Sequence, residues 1–254
     1  MLEILLNAGI TIHNGKIVLP RWCKRVKIDI GLSENAPQSE TWLKEDEELV
    51  VFGFEPVSTS CQSILNGSSK FPSKLSIDRI RKSFFLIPIA LTDKKGPSKL
   101  VFNITHNDPG CSSALEPLIF DINRTEVVNA YSLSDFLDYF DFEGDVKFIA
   151  YVKTDCQGYD INVLKGVEGY LDKIACYTCE IETEQYKDSF KNNIVEFEKI
   201  FNRNSFKQYK KSRLTKITNL FDKYPFVQCD DPTFINEKYK KDLKKYTNNI
   251  TQRG

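Results

Sequence analysis

The stretch 151-YVKTDCQGYDINVLKGVEGYL-171 decides how this chain is read. It opens on strand-forming residues, breaks at Asp155 and Gly158, and continues with helical spacing from about Tyr159 to Tyr170. An acidic residue at the mouth of a buried strand, one turn before a helix, is either punctuation or chemistry. Asp and Gly are ordinary strand-to-helix punctuation, so the choice depends on what the rest of the chain supplies.

Working outward, the neighbouring core strand candidates are 25-RVKIDIG-31, 49-LVVFGFEP-56, 84-FFLIPIAL-91, 147-KFIAYVKTD-155 and 174-IACYTCEIE-182. Several are apolar on both faces, as buried parallel strands must be. Helical segments separate most of them. One spans 35–48, with Asn35 as cap, Pro37 in the first turn and Gln38 completing a capping box. Further helices are predicted over 59–65, near 76–82, over 132–140 with Ser132 as cap and Asp135 in the box position, and over 190–201. Residues 99–105, 206–212 and 233–239 read as additional strands, and His106 to about Arg124 as a loop. Asn14-Gly15 inside 10-ITIHNGKIV-18 is a two-residue hairpin signal of type I′. The pattern predicts an α/β fold with a doubly wound, mostly parallel sheet. Its domain runs over 25–240, after a hairpin extension at 1–24 and before a polar tail at 241–254.

Composition bounds the function. The 254 residues are 41% hydrophobic and include 18 Phe, enough for a substantial core. Lys+Arg and Asp+Glu both total 35, and this balance argues against a general nucleic-acid binder, which needs a basic excess to release counterions. The start has no basic n-region and no run is long and apolar enough to span a bilayer, so neither a signal peptide nor a membrane partner is expected. The four N-x-S/T sites, at Asn66, Asn103, Asn123 and Asn249, are then read as chance. Seven Cys stand at irregular spacings. The close pair Cys176 and Cys179 would point to opposite faces of a strand, which suits reduced core thiols in the cytoplasm and no metal site.

Sheets of this kind bind ligands at the carboxyl ends of their strands, where the strand order switches. That rule selects Asp29, Gly31, Glu55, Asp155 and Glu182. Gly31 would let backbone approach a ligand before a helix N-terminus. Glu55 follows it by about 24 residues, the distance at which an acidic residue commonly takes a ribose diol. A lone strand-end Gly or Glu is ordinary, and the pair carries the signal.

The blocks KIDIG, FGFEP, IPIALTDKKG, SSAL and above all KTDCQGYDINVLKG resemble the FkbM-type methyltransferases, of the class I S-adenosylmethionine-dependent fold. The resemblance runs from about Val26 to Glu182 and more weakly to about Tyr239. It implies S-adenosylmethionine as cofactor, with Asp29 and Gly31 beside its methionyl part. It further implies Glu55, with Pro56 beside it, on the ribose hydroxyls, Ile89 and Ala90 near the adenine, and Asp155 near the sulfonium and the acceptor. One departure stands out: Gly31 is alone in GLSENAP, where many relatives carry two or three glycines, so Ser33 and the following helix are candidates for the missing donors.

Methyl transfer to a hydroxyl needs the acceptor held in line and a group to receive its proton. Asp155, Glu182 and His106 are the candidate bases; in E-I-E-T-E, period-2 spacing would put Glu180, Glu182 and Glu184 on one face. His13 reads as structural. The leading expectation is O-methylation of a sugar, glycan or small-metabolite hydroxyl. The alternatives are the same fold acting on RNA or protein, and a cofactor-binding protein without turnover. A nicotinamide oxidoreductase lacks support because the full glycine fingerprint is absent.

Overall fold

The computed structural model describes residues 1–106, 109–210, 215–216 and 228–243. The chain begins with a short helix, α1 (Leu2–Asn7), that the sequence reading did not anticipate. The expected hairpin follows as β1 (Ile12–His13) and β2 (Lys16–Ile17), and its turn residues Asn14 and Gly15 take φ of 48° and 74°. Both positive angles are what a type I′ turn demands. Leu5, Ala8, Ile10 and Ile17 are buried in the same apolar cluster as the central sheet.

Three strands then enter that sheet: β3 (Arg25–Ile30), β4 (Leu49–Phe54) and β5 (Phe84–Ile87). Every residue of β4 and β5 is buried, which explains their unbroken apolar runs. The helices α2 (Pro37–Glu45) and α3 (Ser58–Asn66) connect them. Pro37 sits at the first helical position as expected, but Asn35 is not the cap. Ala36 precedes the helix at φ 46°, no side-chain cap or capping box forms, and Asn35 Nδ2 instead donates to the Ser73 carbonyl at 2.7 Å.

The run 84–91 proves to be two strands. Pro88 lacks an amide for the ladder, and after it β6 (Ala90–Leu91) crosses to a three-stranded sheet of order β6-β8-β7, with β7 (Ser98–Thr105) antiparallel to β8 (Ile122–Tyr131). The sequence reading missed β8 because its first six residues are exposed or only half-buried and show no apolar alternation.

Helix α4 (Leu133–Leu137) carries the predicted capping box, with Asp135 N donating to Ser132 Oγ and Ser132 N to Asp135 Oδ2. Ser132→Ala is expected to lower stability by about 1 kcal/mol, readable as a shifted denaturant midpoint with an unchanged slope.

The chain then returns to the sheet on the far side of β3. The strands β9 (Tyr151–Thr154) and β10 (Cys176–Cys179) flank α5 (Asp160–Lys165), shorter than the predicted 159–170. The predicted strand 174–182 also divides, since β11 (Ile181–Glu182) belongs to another small sheet. Cys176 and Cys179 face different apolar clusters, on opposite sides of β10. After α6 (Ile194–Arg203) come β12 (Phe206–Lys210), the short β13 (Thr215–Lys216) and β14 (Gln228–Asp230), and β15 (Thr233–Asn236). Residues 244–254, most of the expected tail, lie outside the described residues, as do 211–212 of the strand expected over 206–212.

The result is a mixed α/β fold around a seven-stranded sheet of order β12-β15-β10-β9-β3-β4-β5, parallel from β10 to β5, with β15 antiparallel to both its neighbours β10 and β12. No helix among the described residues is long and apolar enough to cross a membrane.

Candidate active site

The chain leaves β3 toward β4 on one side and comes back as β9 on the other, so the order switches between β3 and β9. Loops leaving neighbouring strands in opposite directions open a crevice at their carboxyl ends. Here that crevice has a volume of about 390 Å³, and Gly31, Glu55 and Asp155 all line it. Ser33, Pro56, Ile89 and Ala90 line it too, and Leu100 and Phe102 of β7 and the segment 109–112 complete its wall.

Gly31, at φ 80°, is where the two strand tips touch. A Cβ there would stand 1.9 Å from the Asp155 carbonyl oxygen, so the glycine is required by the protein's own backbone rather than by a ligand. Gly31→Val is expected to cost about 3 kcal/mol or more, measured by thermal or denaturant unfolding, because neither backbone can yield without breaking the β3–β9 ladder.

Glu55 ends β4 and is 5% exposed. Its Oε1 accepts from Val57 N at 2.9 Å and its Oε2 from Leu32 N at 3.2 Å. Burial pushes its carboxyl up to about 7 against those amides, and the Asp155 charge adds to the rise. The Ser33 amide also bonds this carboxylate, and the acceptor capacity left over can take a hydroxyl donor.

Asp155 is held from both sides. Lys153 Nζ lies 3.0 Å from Oδ2, and Gln157 Nε2 donates to Oδ1 at 2.8 Å. Burial works to raise the Asp155 carboxyl, but Lys153 together with hydrogen bonds to Gln157 and Glu180 outweighs it and holds the group below the usual carboxylate range. Burial likewise opposes the Lys153 charge, and Asp155 and Asp29 overcome it, keeping the ammonium protonated. Asp160, at the start of α5, accepts from Cys156 N at 3.1 Å, and burial followed by repulsion from Asp155 lifts it to about 7.

Three sequence-selected residues do not line this crevice. Asp29 points to the sheet face beneath α2, where Ser39 Oγ donates to its Oδ2 at 2.6 Å; period-2 alternation sends it there once Ile30 faces the main core. Glu182 is 1% exposed and spends Oε1 on the Glu184 and Gln185 amides at 2.7 and 2.6 Å, closing the turn after β11. The chain turns there, so Glu184 is exposed while Glu180 and Glu182 are buried. His106 is exposed at the end of β7, where its amide donates to the Asp121 carbonyl. Conversely, Lys153, Gln157 and Tyr186 enter the network around Asp155 without having been selected. The first two stand inside KTDCQG, but nothing in the sequence marks Tyr186.

No Lys, Arg or His lines the crevice among the described residues; its carboxyl groups are Glu55 and Asp155. No group of three or more His, Cys, Asp and Glu there is arranged to hold a metal ion. An acidic, otherwise largely apolar crevice with a buried carboxylate open to a diol suits a cationic sulfonium joined to a nucleoside.

No curated protein matches the chain in sequence. Among solved structures, a Listeria monocytogenes protein described as an S-adenosylmethionine-dependent methyltransferase overlays at TM-score 0.46 with 8% identity, covering 86% of this chain and 94% of that one. The Methanococcus jannaschii fibrillarin pre-rRNA processing protein gives 0.44 and 10%, covering 93% and 74%. A 16S rRNA (adenine(1408)-N(1))-methyltransferase from Catenulisporales acidiphilia gives 0.42 and 11%, covering 89% and 97%. The assignment does not rest on these overlays. The sequence profile of the methyltransferase FkbM domain matches residues 30–210, more than half of the chain, and so the protein belongs to the FkbM-domain methyltransferases.

Proposed function

We propose that the protein methylates a hydroxyl of a sugar, glycan or other small metabolite. The observation that carries this reading is the convergence of Gly31, Glu55 and Asp155 on one crevice whose lining, among the described residues, has no basic side chain. RNA acceptors call for phosphate-neutralising lysines and arginines near the reacting end.

The bound cofactor supplies an electrophilic methyl group on a positively charged sulfur. Glu55 would take the ribose hydroxyls, Ile89 and Ala90 would give the adenine an apolar seat, and the Gly31–Ser33 turn would face the amino-acid end. Ser33 is held at φ 56° there, and the Leu32 and Ser33 amides of the turn hold the Glu55 carboxylate in place. When the methyl group of the bound donor is passed to the acceptor oxygen, Asp155 would receive the hydroxyl proton. A carboxylate with a lowered pKa is a weak base, yet it suffices here. The alcohol oxygen grows acidic as it bonds to carbon, so the proton leaves late and needs only a nearby anion.

The test incubates the protein and methyl-labelled S-adenosylmethionine with a panel of glycans, small alcohols, RNA and protein. Label in an alkali-stable ether on a glycan or small alcohol, insensitive to heparin competition, is the expected result. Label confined to RNA or protein overturns the acceptor class. Tight binding of S-adenosylhomocysteine with no transfer to any of them would mean a binding protein.

A further inference from the structure

Gln157 occupies a costly position. Its backbone takes φ 52°, which for a residue other than Gly stores about 1–3 kcal/mol of strain, and Gly158 follows at φ 86°. Such a conformation persists only where its surroundings over-determine it. Here Ser113 Oγ donates to the Gln157 carbonyl at 2.8 Å, and the side-chain amide reaches three groups. Nε2 lies 2.8 Å from Asp155 Oδ1 and 3.0 Å from Glu180 Oε2. Oε1 lies 2.9 Å from the hydroxyl of Tyr186, whose single proton is shared with the Cys111 carbonyl at 2.8 Å.

The chemistry of this arrangement is specific. Asp155 and Glu180 follow adjacent parallel strands, and two carboxylates brought together there repel until one takes a proton. Glu180 hydrogen-bonds Asp155 directly, and the neutral amide nitrogen of Gln157 offers each of them a further donor without adding charge. A hydroxyl donor on the other side of the amide requires oxygen at that end, so Tyr186 dictates that nitrogen faces the carboxylates.

We propose that Gln157 is the positioning residue for Asp155, fixing its direction toward the acceptor and keeping it anionic, with Tyr186 setting the orientation of the Gln157 amide. The same two residues fasten the crevice wall, since Tyr186 and Gln157 bind Cys111 and Ser113. The charged groups around Asp155 are Lys153 on its own strand, Asp29 and Glu55 at the neighbouring strand tips, Asp160 on α5 and Glu180 after β10. Of these only Lys153 is a cation, so loss of the Gln157 donor leaves Asp155 among carboxylates with a single positive neighbour. The positioning role rests on the methyltransferase reading, while the effect on Asp155 is measurable without any acceptor.

The experiment follows the Asp155 carboxyl by carbon NMR across pH in protein labelled with 13C-aspartate, the signal being assigned by its loss in Asp155→Asn. Gln157→Met keeps the size of the side chain and adds no charge while removing the amide donor, so a packing role predicts an unmoved midpoint. The proposal predicts a shift to higher pH. Tyr186→Phe, which removes only the hydroxyl, is expected to move the midpoint in the same direction by less, and it decides the matter if Gln157→Met does not fold. An Asp155 midpoint equal to wild type in a folded variant overturns the proposal. Calorimetry of S-adenosylhomocysteine with the wild-type protein tests the methyltransferase reading separately, so either idea can fail alone.

Discussion

Asp155→Asn is expected to slow methyl transfer by about 10²–10⁴-fold, the usual contribution of a positioned general base. Asparagine keeps the shape but cannot accept the acceptor's proton, so the loss should fall on kcat and leave the KM for the cofactor within a few-fold. It also removes the anion facing Lys153 at 3.0 Å, leaving Asp29 as a nearby counter-charge. Some loss of melting temperature is therefore expected beside the kinetic effect, and folding is to be checked by circular dichroism. Turnover within a few-fold of wild type would remove Asp155 from the base role. A loss confined to cofactor affinity would make it a binding residue instead.

The second large effect is expected at Glu55. Glu55→Ala should weaken S-adenosylhomocysteine binding about 10–100-fold by calorimetry, because a charged acceptor is worth roughly 1.5–3 kcal/mol per hydrogen bond and two backbone amides would also lose their partner. Burial places this carboxyl at about 7, so pH enters directly. Hydroxyl donors favour the ionised form; affinity should thus fall as pH drops through 7 and level off above it, with proton release on binding near neutrality. For the free protein the sign is opposite. A native pKa raised from 4.5 to about 7 means the folded state holds the proton longer, so the stabilising contribution is present at low pH and is lost as pH rises toward and through 7. A flat affinity profile between pH 6 and 8 in a folded protein would show that Glu55 does not meet the ribose.

Much of the fold was legible because its signals are local. The all-buried runs at Leu49–Phe54 and Phe84–Ile87 cannot be half-exposed strands, Asn14-Gly15 admits one tight turn, and Ser132 with Asp135 closes a capping box within a single helical turn. The mistakes came where local pattern and tertiary placement part. Strand β8 is paired along its length with β7 yet mostly exposed, so its backbone ladder leaves no trace in residue type. Pro88 marks a change of sheet, which an apolar run alone does not reveal.

By itself, the sequence determined that this is a parallel α/β chain carrying the KTDCQGYDINVLKG string, and that Gly31, Glu55 and Asp155 end core strands. Hydrophobic periodicity and turn chemistry are short-range and can be read residue by residue. Only the tertiary structure decided which carboxylates share the crevice. It turned Asp29 under α2 and Glu182 into its own turn, and it brought Tyr186 to Gln157 across 29 positions of chain. The physical reason is that a side chain's direction at a strand tip depends on register with neighbouring strands. A single residue of register moves a carboxylate from one face of the sheet to the other.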